Sequence, residues 1–326
     1  MTTPSMPLSP EQIHTFHDQG YLVVQDLLPV ADLQPVIDEL TREIDWRARK
    51  LVETGDLSRP YDECGFETRL AKISAETDQL AISIWNGILH GPAIFHLLSH
   101  PRLGDVAEQL CGSPEVIASS VYRLRPKIPN YGYGAVPWHQ DSGYFEPYCD
   151  QSLILTAWLA LVDATEENGC MWVIPGSHRQ PVIKHKRSDS GNYLEIEEPD
   201  LPAGKRVCCP VRKGGVFLIT NRTVHGSFLN RTDGVRWSMD LRYQSAALPT
   251  NAPITRLPGE SQGAVAMSVP AACYPPDRDF LVRSRARPNE VTRTYEQFQY
   301  LRETPTGQKV TNRFGVKWAE PKITKV

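Results

Sequence analysis

The chain has 326 residues, of which 40% are hydrophobic, and its formal net charge is −3. That hydrophobic share is enough for a large core, whereas the weak negative charge gives no electrostatic reason to expect binding to nucleic acid or to an anionic membrane. No apolar run approaches the length that spans a bilayer, and the first residues lack the charged and apolar regions of a signal peptide.

The cysteines and the C-terminus bear on the compartment in which the protein works. The 7 cysteines are scattered and form no Cys-x-x-Cys pair, which is typical of a reducing compartment. The final residues, Thr324-Lys325-Val326, do not form a peroxisomal signal of the Ser-Lys-Leu type. We therefore expect a cytoplasmic protein.

The first helix is predicted by its end signals. Ser9 can cap a helix that begins at Pro10, and Gln12 completes the capping-box pattern three residues after the cap. Gly20 ends the helix. The remaining elements of the first hundred or so residues are a short strand, a long amphipathic helix, a polar loop and two further helices, at residues 21–24, 33–51, 55–69, 81–88 and 103–110.

From about Glu115 the sequence changes to short strands rich in β-branched and aromatic residues. The last of these alternates apolar with polar side chains: Val235, Trp237, Met239, Leu241 and Tyr243 against Arg236, Ser238, Asp240, Arg242 and Gln244. The strand therefore has one apolar and one polar face. A surface sheet with its polar face in water and a jelly roll with its polar face towards a central cavity both produce this pattern.

Two polar stretches fall outside the strand pattern. Residues 179–205 form an insertion that is either a binding loop or lid, or a solvated loop. Its His185 lies between two lysines, which disfavours a bound cation nearby. Residues 277–326 carry several arginines that could meet an acidic substrate, form a solvated face or make a subunit contact.

The strongest functional signal is His139-Gln140-Asp141, followed by His225 and Arg236. On an extended segment, His139 and Asp141 leave the same face and can reach one metal ion. His225 completes two nitrogens and one oxygen, a ligand set that suits non-haem Fe(II) and leaves coordination positions open. Arg236 can hold a carboxylate with its planar two-donor fork. The combination predicts an iron and 2-oxoglutarate dependent oxygenase.

The surroundings of these residues carry a family resemblance. The motifs are residues 136–144, residues 223–227 with Asn230, Arg236-Trp237-Ser238, Thr156-Ala157-Trp158, Asp163-Ala164, Glu167-Asn168-Gly169-Cys170 and Pro175-Gly176-Ser177-His178. In this order and spacing they resemble the phytanoyl-CoA dioxygenase (PhyH) family. The resemblance runs from about Ser9 to about Gln244, roughly three quarters of the chain.

The resemblance implies a fold that is mainly β with packed helices, a double-stranded β-helix (jelly roll, cupin-like) core beneath an N-terminal helical layer. It thereby favours the cavity-facing interpretation of the last strand, with Arg236 and Ser238 lining the pocket. We expect a single dioxygenase domain over residues 1–326, made of a mainly helical layer (1–112), the jelly-roll core (113–246) and a C-terminal extension (247–326). The extension also offers a surface through which two copies could form a homodimer.

The resemblance further implies the cofactors. Fe(II) is held by His139, Asp141 and His225, 2-oxoglutarate is the cosubstrate, O2 is consumed, and ascorbate serves as reductant in vitro. Arg236 is the expected partner of the distal carboxylate of the cosubstrate, although a surface arginine on an edge strand is the alternative. Related halogenases have a small residue in place of the carboxylate ligand, so Asp141 favours hydroxylation.

Further cosubstrate contacts are expected around this set. Ser227 and Ser238 each lie two residues after a site residue and share its strand face. Gln140 and Trp158 match family positions that border the cosubstrate, although Trp158 also suits a core. Lys127 could approach the cosubstrate or substrate from the preceding strand, with Arg125 as a competitor for that role.

Aromatic residues flank the first two metal ligands: Tyr131, Tyr133, Tyr144, Phe145 and Tyr148. They could form the mouth of a pocket for an apolar or ring-containing compound, or pack against the rim of their own barrel. No feature requires coenzyme A, so the sequence favours a free metabolite.

The expected reaction is hydroxylation of an unactivated C–H bond of a small organic metabolite, with release of succinate and CO2. Desaturation, cyclisation or stereoinversion would use the same residues and cofactors. An alternative of a different class is a metal-binding jelly roll that isomerises or senses a ligand, but such a protein has no need of a carboxylate clamp at Arg236.

Overall fold

The computed structural model of the chain describes residues 7–85, 89–119, 122–145, 147–189, 193–248 and 279–303. In these ranges no helix combines the length and the apolar character needed to cross a membrane. The helices are α1 (Pro10–Gln19), α2 (Val30–Thr54), α3 (Phe66–Glu76), α4 (Gln79–Trp85), α5 (Pro92–Leu98), α6 (Pro101–Cys111) and α7 (Tyr295–Glu303).

The strands lie mainly between the sixth and seventh helices. They are β1 (Tyr21–Val24), β2 (Val116–Ala118), β3 (Arg123–Lys127), β4 (Val136–His139), β5 (Ile154–Ala160), β6 (Met171–Val173), β7 (Lys186–Arg187), β8 (Leu194–Glu195), β9 (Val207–Cys209), β10 (Val216–Thr220), β11 (His225–Ser227), β12 (Arg236–Ser245) and β13 (Phe280–Arg283).

The first helix is confirmed together with both of its end signals. The Ser9 hydroxyl accepts a hydrogen bond from the Gln12 backbone N–H at 3.2 Å, and the Gln12 side chain accepts one from the Ser9 backbone N–H at 2.8 Å. Gly20 closes the helix with a φ of +78°, and a Cβ there would lie 2.3 Å from His178 Nδ1. Glycine is therefore required both for the left-handed turn and for the close approach.

Two helices were not predicted, for different reasons. α3 begins at Phe66, inside the predicted polar loop, and buries Arg69 and Ser74 beside its apolar residues, which weakens its hydrophobic pattern. α5 is only seven residues long and mostly apolar, so it has no polar face from which a helical period could be recognised. The predicted helix at 81–88 corresponds to the end of α4, and residues 86–88 lie outside the described ranges.

Two antiparallel sheets form the core of the fold. The larger has the order β1-β10-β5-β12-β2-β13, with β3 also paired to β12, and the smaller has the order β4-β11-β6-β9. Residues of both sheets line one cavity of about 300 Å³, so the cavity lies between the sheets. This is the jelly-roll architecture expected from the sequence, and β7 with β8 adds a small separate ribbon.

One face of β12 lies in the core and the other faces the cavity, as a jelly roll requires. Its apolar residues, Trp237, Met239, Leu241 and Tyr243, are buried in the large core that the sheet shares with the helices. Three of its polar residues, Arg236, Asp240 and Arg242, line the cavity. Arg236 lies in the cavity wall as predicted, whereas Ser238, which was also predicted to line the pocket, is buried and is not part of the lining. The separation of the two faces follows from the period of two of an extended strand.

The described part of the C-terminal extension packs onto the same fold. β13 pairs with β2 at the edge of the larger sheet, and Phe298 of α7 stacks on Phe95 with ring centroids 5.2 Å apart. The homodimer surface expected for the extension stays a prediction, and residues 249–278 and 304–326 lie outside the described residues.

Trp237 provides a test of how firmly β12 is anchored. It is fully buried and stacks on Phe66 at a centroid distance of 5.0 Å. Trp237→Ala should lower the free energy of unfolding by about 3–5 kcal/mol, because a large cavity replaces the ring. Trp46→Ala, at a tryptophan that is 55% exposed, is the matched control and should change it by less than about 0.5 kcal/mol. Equal urea midpoints for the two variants would contradict this packing.

Candidate active site

A buried set of three ligands forms where the smaller sheet meets the loop after β4. His225 on β11 is the register partner of His139 on β4, so the two rings lie side by side with centroids 4.2 Å apart. Asp141 Oδ1 is 3.8 Å from His139 Nε2 and 3.9 Å from His225 Nε2. The three ligand atoms lie within 4.8 Å of one another, which makes the set able to hold a metal ion.

Backbone carbonyls fix the tautomers of both histidines. His139 Nδ1 donates to the Pro137 carbonyl at 2.8 Å, and His225 Nδ1 donates to the Thr223 carbonyl at 2.9 Å. A carbonyl oxygen can only accept, so each Nδ1 carries the proton and each Nε2 keeps its lone pair for a metal. Burial, and then His225, lower the pKa of His139 below its ordinary value, which favours the neutral ring that a metal ion needs.

Asp141 is held in place and kept ionised by residues of the larger sheet. The Thr156 hydroxyl donates to Asp141 Oδ2 at 2.7 Å, and Arg242 Nη2 lies 3.5 Å from Oδ1. Burial by itself would raise the pKa of Asp141, but Arg242 and the two histidines outweigh it and hold the pKa below its ordinary value. Neither of these supporting roles was predicted from the sequence. The sequence did contain a signal for them. Thr156 is two residues from Trp158 and Arg242 is six residues from Arg236, so each pair lies on the same face of its strand.

Arg236 is a buried guanidinium with only some of its N–H groups hydrogen-bonded within the described part of the structure. It lies over the Trp158 ring at 4.9 Å and donates to the Ser238 hydroxyl, while its Nε is buried with no hydrogen-bond partner among the described residues. Asp240, the acidic side chain that influences it, forms its ion pair with Arg125 at 2.8 Å. Burial lowers the pKa of Arg236 to about 10, so it is still charged at neutral pH. A buried cation with a spare donor fits a carboxylate ligand.

Ser227 lines the cavity, and Lys127 lies behind it. Lys127 Nζ donates to the Ser227 hydroxyl at 2.6 Å and to the Phe228 carbonyl, while Ser227 donates to the Gly169 carbonyl at 2.9 Å. Burial, and then Arg236, lower the pKa of Lys127 well below its ordinary value. A Cβ at Gly169 would lie 2.8 Å from Lys127 Cδ, so the glycine leaves room for the buried lysine.

The expected cosubstrate residues divide into two groups by position. Arg236, Ser227 and Trp158 line the cavity. Gln140, Ser238 and Lys127 are buried but are not part of that lining. The Gln140 amide donates to the Arg222 carbonyl at 2.7 Å and accepts from the Ile183 N–H at 2.8 Å, contacts that tie the metal loop to neighbouring backbone.

The insertion at 179–205 contributes to the site in two ways. His185 Nε2 accepts a hydrogen bond from the Gln140 N–H at 2.9 Å and its Nδ1 donates to the Ile183 carbonyl at 2.7 Å, so the ring supports the metal loop without being a ligand. Tyr193 lines the cavity and donates to the Tyr133 carbonyl. Neither role could be predicted from the local sequence, because both arise only when the insertion folds back and packs against the core.

The aromatic residues near the metal ligands also fall into two groups by position. Tyr133, Tyr144 and Phe145 line the cavity, together with Trp85 and Tyr193, which were not predicted from the sequence as cavity residues. Tyr131 belongs instead to the main core and donates to the Ser74 carbonyl. The side chain of Tyr148 lies outside the described part of the structure.

A jelly roll with a buried His-x-Asp…His set beside a cavity is typical of non-haem Fe(II) oxygenases. The chain belongs to the phytanoyl-CoA dioxygenase (PhyH) family, whose family model matches residues 16–238. The family resemblance seen in the sequence is thus confirmed, and the protein is a non-haem iron, 2-oxoglutarate-dependent dioxygenase.

Relatives of similar length support the assignment. The chain is 27% identical over 276 residues to a phytanoyl-CoA dioxygenase of Arabidopsis thaliana, covering 74% of this chain and 95% of that protein. It is also 27% identical over 271 residues to the mouse phytanoyl-CoA dioxygenase domain-containing protein 1, covering 74% of this chain and 91% of the mouse protein.

A solved structure shares the fold. The epimerase SnoN, crystallised with Fe3+, alpha ketoglutarate and nogalamycin RO, superposes with a TM-score of 0.50 at 22% sequence identity. The alignment covers 84% of this chain and 98% of the epimerase. At this identity the similarity concerns the architecture.

The hydrogen bond from Thr156 to Asp141 can be tested through metal affinity. Thr156→Val removes the donor while keeping the shape of the side chain, and it should weaken Mn(II) binding by about tenfold, as is common for residues that orient a metal ligand. Thr41→Val, at an exposed position on α2, is the control and should bind Mn(II) like the parent chain. Isothermal titration calorimetry measures both. Unchanged affinity in Thr156→Val would show that the donor does not support the ligand.

Proposed function

We propose that the chain hydroxylates an unactivated C–H bond of a small organic metabolite, using 2-oxoglutarate and O2 and releasing succinate and CO2. The observation that supports this best is Arg236, a buried guanidinium in the same cavity as the metal ligands, whose Nε has no hydrogen-bond partner in the described part of the chain. A metal site alone fits many functions, whereas a metal site and a buried carboxylate clamp in one cavity fit a keto diacid.

Each residue of the site has a role in the proposal. His139, Asp141 and His225 hold Fe(II), and Arg236 binds the distal carboxylate of the cosubstrate. When bound, the iron and the cosubstrate supply an oxidant that is generated by oxidative decarboxylation. Trp158 keeps the guanidinium of Arg236 in place through its ring face, at 4.9 Å.

Ser227 adds a polar contact in the cavity wall under this proposal. Lys127 and the Gly169 carbonyl fix the orientation of its hydroxyl, since one donates to it and the other accepts from it. Lys127 is thus a positioning residue behind the wall. Gln140 and Ser238 act in the same indirect way, the first on the metal loop and the second on the guanidinium of Arg236.

Asp141 argues against halogenation among the related reactions. Its carboxylate is fixed by Thr156, so it occupies the ligand position that halogenases leave open for a halide. Desaturation, cyclisation and stereoinversion need the same residues and differ in where the substrate C–H bond lies. A mass increase of one oxygen atom in the product separates hydroxylation from these.

The size of the cavity supports a free, compact substrate. At about 300 Å³ it lies at the lower end of the range for small-molecule sites, and the cosubstrate must share it. The nucleotide part of a coenzyme A thioester would have to lie outside the barrel.

Turnover can be tested directly. With Fe(II), ascorbate and 2-oxoglutarate, a panel of small organic compounds should include at least one that stimulates O2 consumption and succinate release and gains one oxygen atom. His225→Ala should abolish stimulated succinate release because it removes a metal ligand, whereas His14→Ala, at an exposed histidine, should retain it. Iron binding without succinate release for any compound of a broad panel would favour the isomerase or sensor alternative.

The role of Arg236 can be tested separately from turnover. Arg236→Ala should weaken 2-oxoglutarate binding by about 100-fold, because a carboxylate loses a buried, charged partner. Mn(II) affinity should change by less than about threefold, since Arg236 is not a metal ligand. The exposed Arg179→Ala is the control. Loss of metal binding with unchanged cosubstrate affinity would contradict the assignment.

A further inference from the structure

Arg242 is a second guanidinium on the cavity-facing side of β12. It lies six residues after Arg236, an even number, so both side chains leave the same face of the strand. Six residues correspond to about 20 Å between the two Cα positions. The two guanidinium groups therefore serve different parts of the cavity, and only Arg242 lies beside the metal ligands.

The contacts of Arg242 leave it without a complete partner. Its Nη2 is 3.5 Å from Asp141 Oδ1, and its Nε is buried with no hydrogen-bond partner among the described residues. A metal ion bound at Asp141 neutralises that carboxylate and repels the guanidinium. When the metal is bound, Asp141 therefore no longer compensates the charge of Arg242, and another anion can do so.

The charge balance of the cavity points in the same direction. Among the described residues that line it, the charged ones other than histidine are four arginines and two aspartates: Arg123, Arg125, Arg236, Arg242, Asp141 and Asp240. Arg125 and Asp240 form an ion pair at 2.8 Å and compensate each other. The two charges of a ferrous ion and that of Arg236 offset Asp141 and the two carboxylates of 2-oxoglutarate. The charge of Arg242 then remains to be compensated.

Aromatic rings form much of the remaining cavity wall. Trp85, Tyr133, Tyr144, Phe145 and Tyr193 line the cavity, and Arg242 lies over the Phe145 ring at 5.7 Å. Flat rings favour a substrate with a compact apolar or planar body. A guanidinium fork matches a planar carboxylate through two parallel hydrogen bonds.

We propose that the substrate is a small carboxylic acid with a ring or compact apolar body, and that Arg242 binds its carboxylate beside the metal. This inference rests on the proposed function, because it takes the other carboxylate site, Arg236, to be filled by 2-oxoglutarate. Arg242 is then the residue that selects for acids over neutral compounds of the same shape.

The test is binding without turnover. The protein is loaded with saturating Mn(II) and 2-oxoglutarate, and ring carboxylates such as phenylacetate, 3-phenylpropionate and indole-3-acetate are titrated in parallel with their neutral primary amides. Phenyl phosphate is included as a different anion. At least one acid should bind about tenfold or more tightly than its amide and more tightly than the phosphate, as expected for one charge-assisted bond.

Substitutions then connect the preference to the residue. Arg242→Gln should remove the preference for the acid while changing 2-oxoglutarate affinity by less than threefold, and the exposed Arg59→Gln should keep it. Arg242→Lys retains the charge without the two-donor fork and should keep part of the preference for the acid. It provides a second measurement of the role of Arg242 if Arg242→Gln does not fold.

The opposite outcomes overturn the inference. They are the absence of any acid that binds more tightly than its amide, tighter binding of the phosphate, a preference that persists in Arg242→Gln, or a loss of 2-oxoglutarate affinity as large as the loss for the acid. The last result would make Arg242 a cosubstrate ligand. Because no turnover is involved, failure here leaves the succinate test of the proposed function intact, and failure of that test leaves this binding result unchanged.

Discussion

The pairing of β4 with β11 places His139 directly opposite His225, and the rest of the site depends on this register. A slip of one residue would turn one ring to the other face of the sheet and separate the ligands. Each Nδ1 donates to a backbone carbonyl two residues earlier in its own segment, Pro137 for His139 and Thr223 for His225, so the tautomers are fixed locally once the register has brought the two rings together. Metal binding is thereby built into the backbone of the smaller sheet.

The larger sheet adds charge to this arrangement. It supplies Thr156 and Arg242 next to Asp141, and Arg236 at the far part of the cavity. A buried arginine with an unsatisfied donor is unfavourable for the protein alone, because its desolvation is not fully compensated. We infer that this energy is recovered when anions bind, so the same groups that reduce stability create affinity for a keto diacid and, under our proposal, for an acidic substrate.

Much of this could be predicted from the sequence because it depends on local order. Capping at Ser9, the alternation along β12 and the His-x-Asp spacing each reflect backbone geometry over a few residues. α3 and α5 were not predicted because their hydrophobic patterns are weak. α3 buries the charged Arg69, and α5 is a short, mostly apolar segment of seven residues. The roles of His185 and Tyr193 could not be predicted, since they arise from an insertion folding back on the metal loop.

The sequence by itself determined the ligand types, their order and the polar face on which Arg236 and Arg242 both lie, because side-chain parity on a strand needs no knowledge of partners. Only the tertiary structure decided that the buried Nε of Arg236 has no partner among the residues that the structure describes, whereas Arg125 is paired with Asp240. It also decided that Lys127 lies behind Ser227 and outside the cavity lining. These outcomes follow from how two sheets close on each other, and packing between distant strands leaves no pattern along the chain.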